Sequence, residues 1–461
     1  MNLDQIHNAH FIGIGGIGMS ALARWFNQRG AKVSGYDRTE TPLTKRLQSE
    51  GMDIHYEDNV SLIPEKVLND PDHSVIVFTP AVPASHTELN HFQQGDYTLM
   101  KRSELLGLIS RNHWTVAVGG THGKTTTSSM IAHILHETVG CSAFVGGIMT
   151  NYDSNLLVGD EKAPVVAEAD EFDRSFHRLS PDFAIVTSVD PDHLDIYGDQ
   201  EEMHKAFGDF LKKTKEGGTV LIHAKAAEVI AMQLDFEYRT YSIDTGDIQA
   251  KAVRVANGIF YFNYHGKEVI KDVALEVPGF HNVENATAAI TMALGFGIEA
   301  DEIKKALASY RGVKRRFEYI VKAENFTYID DYAHHPEEIK AFLRSVRSLY
   351  PGKRITAIFQ PHLFSRTKDF QDGFAASLEL ADDIILMEIY PAREEPIPGI
   401  TSQVILDKIN KSDKMICERD RLLEVIAAKS PDLLVTIGAG DIDKEVNRIR
   451  DYYQKHIKVE A

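Results

Sequence analysis

The length of 461 residues is enough for about three domains. A composition of 43% hydrophobic and 25% charged residues is typical of a soluble globular protein. The formal net charge of −17 argues against sequence-independent binding to nucleic acid or to an anionic membrane. Phosphorylated ligands are not excluded, because their binding sites are built locally.

Neither a membrane span nor a signal peptide is predicted. No stretch approaches the ~20 apolar residues needed to cross a bilayer, and no basic segment precedes a long apolar core at the start of the chain. The two cysteines, Cys141 and Cys417, show no spacing typical of a metal site or a disulfide framework. We therefore expect a cytoplasmic protein without membrane insertion.

A β-α-β pattern covers residues 10–37. An apolar strand runs into Gly13, Gly15 and Gly18, a helical segment follows, and a second strand ends at Asp37. Such glycines allow a tight turn and a close approach of the backbone to a pyrophosphate, and an acidic residue about 20 positions on suits a ribose hydroxyl. Taken alone, this spacing favours NAD, with a glycine turn that binds no ligand as the alternative.

Residues 117–127, AVGGTHGKTTT, have the pattern of a phosphate-binding loop between an apolar strand and a helix. In such loops the backbone N–H groups and the helix N-terminus face the anion, Lys124 would neutralise it, and Thr125 could place its hydroxyl on Mg²⁺. The loop is a shortened form of the strict pattern, since Val118 stands where a glycine is expected. The sequence predicts a nucleoside-triphosphate site.

Two further apolar strands of the same domain end in polar side chains. Residues 163–176 crowd four carboxylates together, namely Glu168, Asp170, Glu171 and Asp173. Carboxylates at this density repel one another unless a cation lies among them, and hard oxygen ligands beside a phosphate loop suit Mg²⁺. Residues 183–195 carry His193 between two aspartates. We predict a metal or phosphate role for it, because ligands collect at the carboxyl ends of strands in doubly wound sheets.

The pattern changes over residues 217–278, where short strands and turn signals predict a small antiparallel β appendage. Residues 279–285, GFHNVEN, then open a long helix, and their polar side chains could be simple caps. The basic run at residues 313–318 has the composition of a linker surface. Beyond it, strands and helices alternate again, which predicts a third domain with a mostly parallel sheet and polar clusters at its strand ends.

These motifs, in this order, resemble those of the Mur ligases of bacterial cell-wall synthesis. The resemblance extends from residue 11 to residue 399 and is far more specific than either glycine motif alone. The segments that carry it are FIGIGGIGMSALA, GGTHGKTTT, EADEFDRSF, DPDHLDIY, HNVEN, GVKRRFE, DDYAHHPEEI, QPHLFSRT and YPAREEPIPG. The family binds a UDP-sugar on its N-terminal glycine turn, so the resemblance replaces the NAD interpretation.

The resemblance implies an α/β protein of three domains. Residues 1–110 would form a Rossmann-like domain that binds the UDP-sugar. Residues 111–315 would form a central P-loop mononucleotide-binding domain for ATP, with the antiparallel β appendage. Residues 316–461 would form a second Rossmann-like domain that closes over ATP and the amino acid.

The implied reaction is ATP-dependent amide formation in peptidoglycan precursor synthesis. The lactyl carboxylate of UDP-N-acetylmuramate takes the γ-phosphoryl group of ATP, the amine of an amino acid attacks the acyl phosphate, and phosphate leaves. L-alanine is the expected amino acid, ATP and two Mg²⁺ ions are the expected cofactors, and the chain would act as a monomer or homodimer.

The resemblance also assigns roles to residues. The expected catalytic residues are Lys124, Glu171, His193 and Arg366, and the expected metal ligands are Thr125, Glu171 and His193. The expected ATP-binding residues are Gly120, Thr121, His122, Gly123, Lys124, Thr125, Thr126, His281, Asn282, Asn285, Arg316, Asp330 and His334. The expected substrate-binding residues are Gly15, Gly16, Ile17, Gly18, Ser20, Asp37, Tyr332, His335 and His362.

Three positions depart from the family pattern. Leu363 stands where some members have a basic residue, so Arg366 is the expected substitute. Lys205 is nearest to the lysine that sibling ligases carbamylate, but its register is wrong and no such role is predicted. Phe172 stands where many members have a small residue.

Three other functions compete with this interpretation. The first is a recycling ligase that joins a tripeptide to the same UDP-sugar, although DPDHLDIY and YPAREEPIPG favour the alanine-adding enzyme. The second is a nicotinamide oxidoreductase with a regulatory ATPase domain, for which the sequence offers no hydride-transfer site. The third is a nucleotide-gated binding module without chemistry. ATP turnover that depends on an amino acid would separate the ligase from the last two.

Overall fold

The computed structural model describes residues 3–79, 81–172, 174–191, 194–392 and 394–457, and its strands form three sheets. The chain divides into two compact units. Unit 1 comprises residues 1–251, 263–271 and 284–309, and unit 2 comprises residues 252–262, 272–283 and 310–461. The predicted α/β class with three domains is confirmed, because the strands form three separate sheets. Among the residues described, no helix is both long enough and apolar enough to span a bilayer.

The first sheet has five parallel strands, which are β1 (Asn8–Ile12), β2 (Lys32–Tyr36), β3 (Asp53–His55), β4 (Ser74–Phe78) and β5 (Thr98–Lys101). Its helices are α1 (Ile17–Gln28), α2 (Pro42–Ser49), α3 (Glu65–Asn69), α4 (Thr87–Gln94) and α5 (Arg102–Asn112). The order β3-β2-β1-β4-β5 reverses at β1. The glycine turn after β1 therefore lies at the switch point where ligands bind in such sheets.

The second sheet has ten strands in the order β15-β14-β13-β12-β11-β10-β6-β9-β7-β8, whose bounds are β6 (Thr115–Gly119), β7 (Ser142–Met149), β8 (Ser154–Leu157), β9 (Val165–Glu168), β10 (Phe183–Val186), β11 (Thr219–His223), β12 (Arg239–Ile243), β13 (Ile248–Ala256), β14 (Ile259–His265) and β15 (Val269–Leu275). The accompanying helices are α6 (Lys124–Thr138), α7 (Leu194–Tyr197), α8 (Gln200–Leu211), α9 (Ala224–Ile230), α10 (Phe280–Phe296) and α11 (Ala300–Ser309). β6 pairs in parallel with both β9 and β10, so the ends of these three strands lie at one edge.

The predicted start of the antiparallel appendage at residue 217 is wrong. β11 pairs in parallel with β10, β12 with β11, and β13 with β12, so these strands extend the parallel sheet. The physical reason is visible in β11, which is an almost continuous buried apolar run of the kind that parallel strands show. A hairpin turn follows only at Asn257 and Gly258, which both have positive φ between the neighbouring strands β13 and β14.

The third sheet has six strands, which are β16 (Glu318–Lys322), β17 (Thr327–Asp331), β18 (Ile355–Phe359), β19 (Asp383–Leu386), β20 (Lys414–Ile416) and β21 (Leu433–Ile437). Its helices are α12 (Pro336–Leu349), α13 (Phe364–Leu378), α14 (Gln403–Leu406), α15 (Leu422–Lys429) and α16 (Asp443–Ile457). The order is β16-β17-β21-β18-β19-β20. Only β16 is antiparallel, and the sequence pattern did not predict that strand.

Aromatic side chains of the apolar core of unit 1 pack against the end of β6 in the second sheet. Phe210 of α8 is fully buried and stacks on Phe176, with ring centroids 5.2 Å apart. A β-carbon added to Gly119, the last residue of β6, would lie 3.2 Å from the Phe210 ring. The phosphate loop therefore begins on a strand end that is packed against this aromatic pair.

Replacing Phe210 with Ala should destabilise unit 1 by about 3–5 kcal/mol, because the substitution leaves a cavity in a closed core. Phe172→Ala is the matched control, since Phe172 is 44% exposed, and we expect a change below about 1 kcal/mol. Both tryptophans, Trp25 and Trp114, lie in unit 1, so their fluorescence during denaturant unfolding reports on this unit. Equal losses from the two substitutions would contradict the packing described here.

Candidate active site

The phosphate loop joins β6 to α6 and contains a position that only glycine can occupy. Gly120 has a φ of 138°, and a β-carbon on it would lie 2.1 Å from the Thr187 hydroxyl oxygen. Any other residue would combine backbone strain with a collision. The path of the loop is thus fixed by the residues that follow β10.

Two hydroxyl side chains after β10 hold this loop in place. Thr121 N–H donates to the Ser188 carbonyl oxygen (3.1 Å), and His122 N–H donates to the Ser188 hydroxyl (2.7 Å). The Thr187 hydroxyl donates to the carbonyl oxygens of Gly119 (3.2 Å) and His122. Thr187 and Ser188 were not among the predicted residues, although a Thr-Ser pair directly after a buried strand was the available signal.

The central ion pair of the loop joins Lys124 to Glu171. The Lys124 Nζ donates to the Gly120 carbonyl oxygen (2.6 Å) and to Glu171 Oε1 (2.7 Å). Their side chains are 15% and 2% exposed. Burial alone would lower the pKa of Lys124, but the charges of Glu171 and Glu168 outweigh it and raise the pKa. The side chain is therefore a stable ammonium at the N-terminus of α6.

Thr125 and Glu168 form a second contact beside this pair. The Thr125 hydroxyl donates to Glu168 Oε1 (2.8 Å), and the Gly146 N–H donates to Glu168 Oε2 (2.6 Å). Burial raises the pKa of Glu168. Glu168 stands among the predicted carboxylates but not among the expected metal ligands, and the structure places it directly on Thr125.

These oxygen atoms fit a bound Mg²⁺ ion. The group offers one hydroxyl and two carboxylates, which are the hard donors that Mg²⁺ prefers. Glu171 Oε2 is buried and has no hydrogen-bond partner among the described residues, so an ion could satisfy it. Thr125, Glu168 and Glu171 are the residues that would hold it. The third expected ligand, His193, lies outside the described residues, as does Asp173.

Asn285 reaches the same loop from α10. Its side-chain oxygen accepts a hydrogen bond from the Thr127 hydroxyl (3.0 Å) and lies 2.9 Å from the position of a β-carbon on Gly123. The structure therefore brings Asn285 together with the phosphate loop, and its contact with ATP stays a prediction. Within unit 2, Asn282 donates to the Pro278 carbonyl oxygen (2.7 Å), and His281 lies beside Gly279.

The glycine turn of the first sheet is shaped by Asp37. The Gly15 N–H donates to Asp37 Oδ2 (2.7 Å), and a β-carbon on Gly15 would lie 2.7 Å from that oxygen. Helix α1 then begins at Ile17 after Gly16, without a side-chain cap, and Ser20 is buried in its first turn. This arrangement suits an anion at the helix N-terminus. Gly18 lies against the Arg102 side chain.

In unit 2, a buried ion pair fixes the end of β17. Arg315 donates from Nε to Asp330 Oδ2 (3.0 Å) and from Nη2 to the Gly438 carbonyl oxygen (2.7 Å). The Thr436 hydroxyl donates to Asp330 Oδ1 (2.6 Å). Both carboxylate oxygens of the fully buried Asp330 thus accept hydrogen bonds within the protein. The expected contact of Asp330 with ATP stays a prediction. Arg315 was not among the predicted residues.

Arg316, Tyr332 and His334 are brought together around Glu338. The Arg316 guanidinium lies 3.5 Å from Glu338 Oε1 and 5.3 Å from the centre of the Tyr332 ring. His334 N–H donates to Glu338 Oε2 (2.9 Å). The acidic side chain therefore positions two of the expected ATP-binding residues, and their nucleotide contacts stay predictions.

His362 lies at the neighbouring strand end. Its ring stacks on Tyr390 with centroids 5.8 Å apart, and the His334 ring is 6.2 Å away. Burial and the Arg366 charge lower the pKa of His362. Arg366 lies in the first turn of α13, which begins at Phe364. His335 caps α12 through Nδ1, which accepts from the Glu337 N–H (3.4 Å).

Comparison with protein families identifies the class. The chain matches the Mur ligase family catalytic domain over residues 8–114, the Mur ligase middle domain over residues 118–293, and the Mur ligase glutamate ligase domain over residues 315–440. These matches cover most of the sequence. The chain belongs to the Mur ligase family.

Individual relatives narrow the comparison. A UDP-N-acetylmuramate–L-alanine ligase of Cytophaga hutchinsonii is 47% identical over 98% of this chain and 97% of its own length. The corresponding protein of Flavobacterium johnsoniae is 48% identical over 99% of this chain and 100% of its length. Both alignments thus include all three sheets and both candidate binding turns.

Solved structures agree with the fold. A UDP-N-acetylmuramate-alanine ligase of Thermotoga maritima superposes with a TM-score of 0.80 at 30% identity, covering 97% of this chain and 99% of that one. A murein peptide ligase of Psychrobacter arcticus has a TM-score of 0.65 at 24% identity and covers 96% of this chain and 98% of that one, which shows the shared fold.

Lys124→Ala should lower ATP-dependent turnover by about 10³-fold, because a preorganised charge at the phosphates is lost and Glu171 is left without its cation. Lys124→Arg should recover only part of this loss, since the planar guanidinium cannot reproduce a point charge. Lys205→Ala is the control, because that side chain is 61% exposed and should be neutral. Turnover within a few fold of wild type for Lys124→Ala would contradict the assignment.

Asp331 gives unit 2 a pH dependence that can be measured. The carboxylate accepts hydrogen bonds from the N–H groups of Phe317 (2.7 Å) and Ala333 (2.8 Å). Burial raises its pKa from 3.8 to about 7. Because the folded state holds this proton more tightly than the unfolded chain, the stabilisation is complete below the unfolded pKa and is lost as pH rises through about 7.

The free energy of unfolding of wild type, relative to that of Asp331→Asn, should therefore fall by roughly 1.4 kcal/mol per pH unit as the pH rises from about 4 to 7. Hydrogen exchange of the β17 amides measures it. Asp382→Asn is the control with the opposite sign: burial opposes ionisation of Asp382, but Arg347 outweighs burial and lowers its pKa. A difference for Asp331→Asn that does not vary over this range would refute the assignment.

Proposed function

We propose that this chain joins L-alanine to the lactyl carboxylate of UDP-N-acetylmuramate, at the expense of ATP, in peptidoglycan precursor synthesis. The observation that carries the proposal is the nearly full-length similarity, at 47% identity, to UDP-N-acetylmuramate–L-alanine ligases. The phosphate-loop geometry supplies the charge that such a reaction requires.

The reaction brings two anions together, because a carboxylate must attack the γ-phosphoryl group of ATP. Charge therefore has to be neutralised at the phosphates while water is kept out. Lys124 and the N-terminus of α6 supply fixed positive charge, and Asn285 and Thr127 brace the same turn. Positioning and electrostatics of this kind account for most phosphoryl-transfer catalysis.

Thr125, Glu168 and Glu171 would hold Mg²⁺ beside the γ-phosphoryl group. When bound, Mg²⁺ would neutralise phosphate charge and polarise the phosphorus–oxygen bonds. A second Mg²⁺ ion would bind with His193 as its expected ligand. Glu171 contacts Lys124 through Oε1 and would offer its unpartnered Oε2 to the ion.

The acceptor amine then attacks the acyl phosphate carbon, and phosphate leaves from a tetrahedral intermediate. In the proposal, Arg316 contacts the nucleotide phosphates, while His362, Tyr332 and Arg366 bind the amino acid. The lowered pKa of His362 keeps its ring neutral near pH 7, which avoids repulsion of the alanine ammonium group. The glycine turn from Gly15 to Gly18 binds the UDP pyrophosphate.

Two alternatives lose their support. The match to the Mur ligase family argues against a nicotinamide oxidoreductase. Asp37, which that function would need for a ribose hydroxyl, accepts a hydrogen bond from the Gly15 N–H of the turn itself. A binding module without chemistry would not need the carboxylates and the Thr125 hydroxyl that lie beside the buried Lys124. The tripeptide-recycling ligase shares the fold, so substrate choice has to be tested directly.

Phosphate release from ATP and Mg²⁺ should require both UDP-N-acetylmuramate and L-alanine. The test compares L-alanine, the tripeptide and no acceptor at equal concentrations. Release with the tripeptide but not with L-alanine would transfer the chain to the recycling ligases. Release that is indifferent to every acceptor would refute the ligase and leave only an ATPase.

A further inference from the structure

Two histidines precede neighbouring strands of the first sheet. β1 and β4 pair in parallel register from Asn8 opposite Ser74, so His7 and His73 occupy adjacent positions just before them. The His7 N–H donates to the His73 carbonyl oxygen (2.9 Å). The two imidazole rings are stacked, with centroids 4.8 Å apart and planes at 12°. The strand register therefore holds the imidazoles side by side.

A carboxylate lies beside these rings and is hydrogen-bonded to one of them. Asp70 Oδ1 and His73 Nδ1 share a hydrogen bond of 2.8 Å. His7, Asp70 and His73 can each present one ligand atom such that all three atoms lie within 4.8 Å of one another. Small adjustments of exposed side chains would bring these atoms onto one ion, since His73 and Asp70 are 45% and 40% exposed.

The backbone that carries the group is anchored in the sheet. The Ser74 hydroxyl donates to the Asp70 carbonyl oxygen (2.6 Å), and Asn8 Nδ2 donates to the Ser74 hydroxyl (3.3 Å). Ser74 and Asn8 are both buried. The side chains that can bind a ligand are thus exposed at their tips, while the backbone that carries them is fixed by the sheet.

The donor set points to a particular class of ion. Two imidazole nitrogens and one carboxylate oxygen are typical of Zn²⁺ and neighbouring transition metals, whereas Mg²⁺ and Ca²⁺ prefer oxygen ligands alone. Three protein ligands leave one tetrahedral position open. His7 and Asp70 also line a cleft of about 670 Å³ together with Lys32 and Lys66, so a water or a small anion from solvent can complete the coordination.

We propose that His7, Asp70 and His73 form a binding site for Zn²⁺ or a related transition-metal ion at the amino end of β1. The glycine turn follows the carboxyl end of the same five-residue strand, so about 16 Å of chain separates it from the site. The group is distinct from the oxygen ligands on the phosphate loop, which are Thr125, Glu168 and Glu171.

The test is calorimetric titration of Zn²⁺ into metal-stripped full-length protein, in buffer with excess Mg²⁺ to occupy the oxygen ligands. His7→Ala and His73→Ala remove one ligand each, and Asp70→Asn keeps the shape of the side chain but removes its charge. His136→Ala is the matched control, because His136 is an exposed histidine outside the group. Melting curves without metal verify that each variant is folded.

We expect wild type and His136→Ala to bind one Zn²⁺ ion each. The affinity of each ligand variant for Zn²⁺ should be about tenfold lower, or binding should be lost. Co²⁺ should give a visible absorption spectrum of a tetrahedral site in wild type, and the ligand variants should lose it. Zn²⁺ binding by the folded variants equal to that of wild type, or no saturable binding by wild type, would overturn the proposal.

Discussion

The contact between the Lys124 ammonium and Glu171 is the interaction on which the candidate site depends. It joins the N-terminus of α6 to the residues after β9, at a distance of 2.7 Å. Two carboxylates, Glu168 and Glu171, crowd into this corner, and their mutual repulsion requires a cation. In the proposed function, the same ammonium would neutralise an incoming phosphate.

In the proposed function, this arrangement would let Lys124 serve both folding and catalysis. Lys124 holds Glu171 and the Thr125 hydroxyl holds Glu168, so the oxygen atoms that would bind a metal ion are already fixed. Mg²⁺ bound with ATP would add a second cation beside the carboxylates, while the ammonium would contact both Glu171 and phosphate. The metal ion and the ammonium would together offset part of the nucleotide's negative charge, which limits the free energy of burying it.

The sequence was sufficient for the parts of the site that are local in the chain. The glycine, lysine and threonine of the phosphate loop are consecutive, and their spacing predicts their geometry. The clustering of Glu168 and Glu171 after a strand likewise predicted a cation among them. The domain class followed from strand and helix alternation, and the structure confirms it.

The parts that depend on strand order were not predictable in this way. Strand signals do not distinguish parallel from antiparallel pairing, so β11 and β12 were assigned to an appendage instead of the central sheet. Thr187 and Ser188 hold the phosphate loop only because β10 lies beside β6, and that neighbourhood is absent from the local sequence. In the basic run, Arg315 takes the buried partner Asp330 while Arg316 pairs with Glu338, a choice that packing decides.

The most direct test of this account follows one oxygen atom through the reaction. UDP-N-acetylmuramate labelled with a heavy oxygen isotope in its lactyl carboxylate is incubated with ATP, Mg²⁺ and L-alanine, and the released phosphate is analysed by mass spectrometry. Attack of the carboxylate on ATP predicts that one labelled oxygen appears in each phosphate, because the acyl phosphate breaks at its carbon–oxygen bond. Phosphate without the label would contradict an acyl phosphate intermediate and, with it, the role proposed for Lys124 and its neighbouring carboxylates.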